Sequence, residues 1–239
     1  LYNVSYLSGN NQHDTGEINA QDNSGGPNQG NFLFGLTYEG VEQVQMVGSG
    51  DDTLNVFDDG ANNTWSLAAG PTVVLESGRV QIDDRAPVDF ESFRRVKLEN
   101  RGGVDRFEVS PDRLPAIVQS GNTSFAVEYV VVGSDTAGLL RDVLAIEGTG
   151  RNDAQQVTMT ATAVTLGRQI SYNTIASIEV NTGHGDDSLE IDTTVGGFVL
   201  PNVIFDGGSG KDLLKVRGGA LFTADEVRFS GGPTNGEGR

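Results

Sequence analysis

Residues 170–191 read ISYNTIASIEVNTGHGDDSLEI, and the fold turns on how that stretch is read. Ile178 and Val180 alternate with polar residues, then Asn181 to Asp187 supply glycines and aspartates, then Leu189 and Ile191 alternate again. Period-two alternation on both sides of a glycine-rich break predicts strand, tight turn, strand, because successive strand side chains face opposite sides. A long helix would need apolar spacings of three and four.

The same pattern recurs elsewhere in the chain. Val88, Phe90, Phe93, Val96 and Leu98 match Ile170, Tyr172, Ile175, Ile178 and Val180 without a gap, and Asp105, Phe107 and Val109 match Asp187, Leu189 and Ile191. A third copy runs Leu36, Tyr38, Val41, Val44, Met46, then Asp52, Leu54 and Val56, with a shorter turn. Two weaker copies are Val203, Phe205, Asp212, Leu214, Val216 and Leu144, Ile146, Asp153, Val157, where Gln155 breaks the alternation. The unit is strand, glycine turn with a fixed aspartate, strand. Its shortest step, from Asp187 to Asp212, suits one coil of a parallel β-solenoid, in which turns and inward apolar residues stack. The expected fold is therefore all-β, a parallel β-helix or β-roll-like solenoid over residues 32–230. Tandem β-sandwiches are the alternative, at about 100 residues per domain. Residues 1–31, poor in apolar residues from Ser8 onward, read as a polar arm or loop, and 231–239 as a tail or linker. No convincing helix is found; the best candidate, residues 137–148, is short and ends in alternation.

Composition narrows the function classes. With 33 acidic against 16 basic residues and a net charge of −17, the chain lacks the clustered Lys and Arg that nucleic acid and anionic membranes require. No apolar run is long enough for a membrane span. Cysteine is absent, which removes disulfides, thiolate metal sites and cysteine nucleophiles. The 33 glycines, with abundant Val, Ile and Thr, fit short strands joined by tight turns.

The turns GSGDD (48–52), GHGDD (183–187) and GSGKD (208–212) share a G-x-G-x-D core. Followed by an x-Φ step they resemble the RTX or haemolysin-type calcium-binding repeat, most fully over Gly207–Lys215. That resemblance implies Ca2+ as the cofactor, with Gly183, Gly185, Asp186, Asp187, Gly208, Gly210, Asp212, Asp51 and Asp52 as the metal-site residues, since calcium takes several hard oxygen ligands. The copies are separated rather than in unbroken tandem, and Arg101 and Lys211 bring positive charge into two turns. The structural alternative is that glycine permits φ > 0 and aspartate accepts backbone N–H groups, so each motif is simply a good turn. Asp186, matched only by Asp51, exceeds what a turn needs. Over residues 32–216 the wider unit also resembles the repeats of giant bacterial surface proteins, including those of planctomycetes.

Other chemistry is thinner. GGSGKDLL (207–214) is not a Walker A loop: Phe205 stands where a glycine is needed and Asp212 where Ser or Thr is needed. Asp83, Asp84 and Arg85, with Arg94 and Arg95, could furnish an acid–base group of a polysaccharide-active β-helix enzyme, or be exposed turn and strand charges. His13 and His184 have no spacing partner. Trp65 reads as a sugar platform of a carbohydrate-binding module or as a half-buried strand residue. The resulting expectation is a non-catalytic structural or adhesive segment of a secreted or cell-surface bacterial protein. Its partners would be other segments of the same large protein or cell-surface glycans, without nucleic acid or membrane insertion.

Overall fold

The structure is a computed structural model. It describes residues 41–58, 60–71, 77–134, 141–149, 151, 154–194 and 201–218 in full, and 2–8, 16–22, 32–38, 135–136 and 139–140 as strand backbone. The chain is all-β, and among the described residues the only helical element is a 3-10 turn at Pro111–Arg113. Strands β1 (Tyr2–Ser8), β2 (Gly16–Asp22) and β3 (Phe32–Tyr38) pair as an antiparallel meander. Then come β4 (Val44–Phe57), β5 (Thr64–Ala69), β6 (Ser77–Ile82), β7 (Val88–Glu99) and β8 (Arg106–Val109). The hairpin β9 (Ile117–Ser120) and β10 (Thr123–Ala126) precedes β11 (Glu128–Val132). A two-rung hairpin of β12 (Asp135–Thr136) and β13 (Leu139–Leu140) leads to β14 (Val143–Glu147), β15 (Gln156–Met159), β16 (Ala163–Leu166) and β17 (Arg168–Asn173). The last four are β18 (Ser177–Asn181), β19 (Ser188–Thr193), β20 (Asn202–Asp206) and β21 (Leu213–Gly218).

Strands distant in sequence pair in parallel, in three ladders. Ladder one runs β1, β4, β7, β11, β17. Ladder two runs β5, β8, β14, β18, β20. Ladder three runs β15, β19, β21. Antiparallel β6 joins β5 to β7, and β16 joins β15 to β17, so these strands form one nearly closed, barrel-like sheet. Tandem sandwiches would instead divide the strands among separate antiparallel sheets. From β17 to β19 the chain passes through ladders one, two and three in succession.

Alternation puts one residue set inside, and register stacks it. In ladder two Trp65, Phe107, Leu144, Ile178 and Val203 stand side by side, as do Leu67, Val109, Ile146, Val180 and Phe205. In ladder one Leu54, Val96, Tyr129 and Ile170 form a row, and in ladder three Val157, Leu189 and Leu214 do. Apart from Val203, Phe205 and Leu214 in the terminal strands, these side chains are buried, each fully covered aliphatic contributing about 1.5–3 kcal/mol.

Three sequence readings are corrected here. Val96 and Leu98 do not stack on Ile178 and Val180, their sequence match; they lie in ladder one beside Tyr129 and Val131. The unit marks a corner between strands without saying which corner. Second, residues 48–52 do not turn the chain: β4 continues through them as a bulge, with Val47 opposite Glu91 and Asp52 already opposite Phe93. Third, β2 falls inside the stretch read as an arm, its backbone paired on both sides by β1 and β3. Residues 9–15, 23–31 and 219–239, including the expected tail, lie outside the described residues.

Candidate metal turns and the aspartate stack

The chain crosses from ladder one to ladder two at a first corner, and from ladder two to ladder three at a second. At both, an aspartate stands just before the strand and reaches back to the residue before the neighbouring strand of the same ladder. At the first corner the Asn63 N–H donates to Asp105 Oδ1 at 2.8 Å, and the Asp105 N–H donates to Asp142 Oδ1 at 2.8 Å. At the second, the Gln155 N–H donates to Asp187 Oδ1 at 2.7 Å, and the Asp187 N–H to Asp212 Oδ1 at 3.0 Å. Backbone bonds run beside these links, Val143 N–H to Asp105 O and Leu213 N–H to Asp187 O among them. Each carboxylate thus adds a rung to the ladder where the strand has not yet begun.

The first corner is sealed. Asp58, Asp105 and Asp142 are at most 1% exposed. Asp105 Oδ2 accepts the Trp65 indole N–H at 3.0 Å, and Asp142 Oδ2 accepts Asn100 Nδ2 at 2.9 Å and the Ser134 N–H at 2.6 Å. Asp58 accepts the N–H groups of Gly60 and Arg101 and the Asn63 amide. Burial, then the neighbouring Asp58 carboxylate, push the Asp105 carboxyl well above the usual carboxylate range; the Asn63 N–H and the Trp65 indole pull the other way. An acid pair closed off in this way cannot touch a polysaccharide, so it belongs to the frame.

The second corner carries the glycine turns singled out in the sequence. Turns 183–187 and 208–212 lie directly against one another, 25 residues apart, through a parallel bridge between His184 and Ser209. Gly183 O accepts the Ser209 N–H at 2.9 Å, and the Gly185 N–H donates to Ser209 O at 2.9 Å. Gly208 (φ 75°) and Gly210 (φ 146°) are required twice over: the backbone is left-handed or beyond, and a Cβ on either would overlap the carbonyl oxygen of Gly183 or Gly185. Exposed Asp186 accepts the Lys211 N–H at 2.9 Å, and His184 Nδ1 meets Ser209 Oγ at 2.6 Å. One oxygen stands apart: Asp187 Oδ2 is buried with no hydrogen-bond partner among the described residues.

The remaining candidates are dispersed. Asp52 Oδ2 accepts the Ser49 N–H and hydroxyl, while Asp51 takes the Ser120 hydroxyl at 3.0 Å and faces Arg94 at 3.9 Å. Asp52 therefore sits outside the aspartate stack; Asn63 holds the place expected for it. Asp153 lies outside the described residues, and Gln155, not Asp153, has the register of Asp187. The sequence reading missed Asp142, although Asp142-Val-Leu144-Ala-Ile146 carries the D-x-Φ-x-Φ signal without the glycines. Asp83 (φ 49°) shapes the β6–β7 turn and accepts the Thr64 N–H. Arg85 reaches Asn63, Arg94 lies over the Phe125 ring, and Arg95 faces Glu128, so the suspected acid–base cluster is split. Trp65 is wholly buried against Phe107 and presents no platform. His13 lies outside the described residues.

Among the described residues no three His, Asp or Glu side chains converge as a metal cluster, and no helix is long and apolar enough to cross a membrane. No protein-family model, curated protein or solved structure matches the chain.

Proposed function

We propose that this chain is a non-catalytic structural or adhesive segment, a β-solenoid belonging to a large secreted or cell-surface bacterial protein. The observation that carries this reading is the repeated link from a backbone N–H to the next coil's aspartate, at residues 63, 105 and 142 and again at 155, 187 and 212. Side chains committed to joining coils leave the corners as scaffold, and the resemblance to giant surface-protein repeats points the same way. The absence of cysteine makes a clean test possible. Spin labels on cysteines at Ser66, Glu179 and Ile204 report outward-facing positions of ladder two. In a solenoid the 66–204 distance exceeds the 66–179 distance by about one strand spacing, ~5 Å. In a closed barrel the more distant label turns back, and an equal or shorter 66–204 distance rejects the reading. New reducing ends or unsaturated products from a polysaccharide panel would reject the non-catalytic part.

Calcium at the second corner is a second reading, favoured by the orphaned Asp187 Oδ2. The fit is partial, because Gly183 O and one oxygen each of Asp186, Asp187 and Asp212 already serve backbone N–H groups. Calcium bound there would neutralise carboxylates and stabilise the folded state by mass action. The expected result is a Tm raised by calcium and lowered by chelator, with the difference gone in Asp187→Asn. Identical melts in calcium and chelator remove the ion.

A further inference from the structure

Strands β20 and β21, the final strands among the described residues, present a face that is built like the covered ones. Leu214 and Val216 hold the inward register of Leu189 and Ile191, yet they are 42% and 43% exposed where Leu189 and Ile191 are 0% and 7%. Among the described residues β20 and β21 pair on one side only, with β18 and β19, leaving two open strand edges flanking the 207–212 turn. The Asp212 N–H, counterpart of the N–H groups that Asp187 and Asp212 themselves accept, has no acceptor among the described residues. Beside it Lys215 and Arg217 concentrate positive charge, answered among the described residues by Glu190 and Asp192 of β19, in a chain of net charge −17.

We infer that this end face is a docking surface for one kind of occupant: a strand, a Gly-x-Gly-x-Asp turn, and a second strand with an outward acid, equivalent to a further coil of the same repeat. The inference rests on the solenoid reading above. Each requirement copies an interface already present. Open strand edges accept an added strand through main-chain bonds. The occupant's two glycines are dictated by the closeness with which Gly208 and Gly210 lie on the Gly183 and Gly185 carbonyls. Its aspartate supplies the carboxylate for the Asp212 N–H. Its acid answers Lys215, as Glu190 does from the other side at 2.9 Å.

The test uses the full chain and a synthetic peptide with the sequence of residues 177–193, SIEVNTGHGDDSLEIDT, which carries all four features. Hydrogen exchange is followed at the amides of β20 and β21. Saturating peptide should slow those amides at least tenfold and leave β5 and β8 unchanged. A peptide with Gly183→Val and Gly185→Val should bind at least tenfold more weakly, and one with Glu190→Lys should lose its salt-sensitive part. No slowing at millimolar peptide overturns the inference, as does equal slowing by the valine peptide. Self-association of the chain that buries the same amides without peptide assigns the face to a second copy and also overturns it. Spin-label distances that fit a solenoid alongside a failed peptide remove the docking surface alone; distances that fit a closed barrel remove both.

Discussion

The two corners use one device with different surroundings. At the first, neighbouring strands of ladder two are linked across 42 and 37 residues, the second interval long enough to include the β9–β10 and β12–β13 hairpins. At the second the described links span 32 and 25 residues, and the turns that meet there are glycine-rich and stacked backbone to backbone. The first corner satisfies both oxygens of its aspartates with side chains and loop amides; the second leaves Asp187 Oδ2 unmatched among the described residues. A corner made by side-chain capping tolerates insertions. A corner made by backbone contact fixes its length and its glycines.

The comparison breaks most visibly at the aspartates themselves. Asp142→Ala strips the acceptor from the Asp105 and Ser134 N–H groups and the Asn100 amide, and at 1–3 kcal/mol per buried orphan a loss of roughly 3–5 kcal/mol is expected. Asp187→Ala orphans, among the described residues, the Gln155 N–H alone, for about 1–2 kcal/mol. Urea unfolding of the two variants measures the difference; equal losses would mean the corners are not distinct. Glycine substitution reverses the ranking. Gly210→Ala meets both a left-handed backbone and the Gly185 carbonyl, a cost of roughly 2–3 kcal/mol, whereas Gly60→Ala has its nearest neighbour 3.8 Å away and costs about 1 kcal/mol of backbone strain.

A pH profile separates the corners next. Burial and Asp58 push the Asp105 carboxyl up to about 8, so the fold keeps a proton that the unfolded chain releases in the ordinary carboxylate range. The folded state then binds more protons across that window. Its contribution to stability is full at low pH and is lost as pH rises towards about 8. Asp58→Asn removes the neighbouring charge and should lessen the fall in Tm between about pH 5 and 8, leaving the part that burial causes. Smallest is the surface pair of Arg106 and Glu179, 2.7 Å apart over ladder two: Arg106→Gln should change stability by less than about 1 kcal/mol at physiological salt.

Alternation was enough to reveal the strands and the all-β class, because Ile178-x-Val180 and Leu189-x-Ile191 state which side is buried. The 25-residue step likewise predicted neighbouring turns at 183–187 and 208–212. What the chain did not disclose is which strands stand together. Val96 and Ile178 occupy the same place in the repeat and belong to different ladders, since a strand's period says nothing about its partner. The glycine core misled at residues 48–52, where a bulge packed under the β9–β10 hairpin uses the same letters as a turn. It also hid Asp142, whose corner needs the aspartate and not the glycines. Asp58 was illegible because its role depends on meeting Asp105, a contact made only by stacking.

The four links made by the aspartates that stand just before a strand point one way. In each of these the earlier segment offers the N–H and the later one brings the carboxylate, from Asn63 to Asp105 to Asp142 and from Gln155 to Asp187 to Asp212. Ribosomal synthesis delivers residues in that same order. Each of these four amides therefore finds its carboxylate only in a segment made after its own, and in a chain still emerging from the ribosome it stays open until that segment follows.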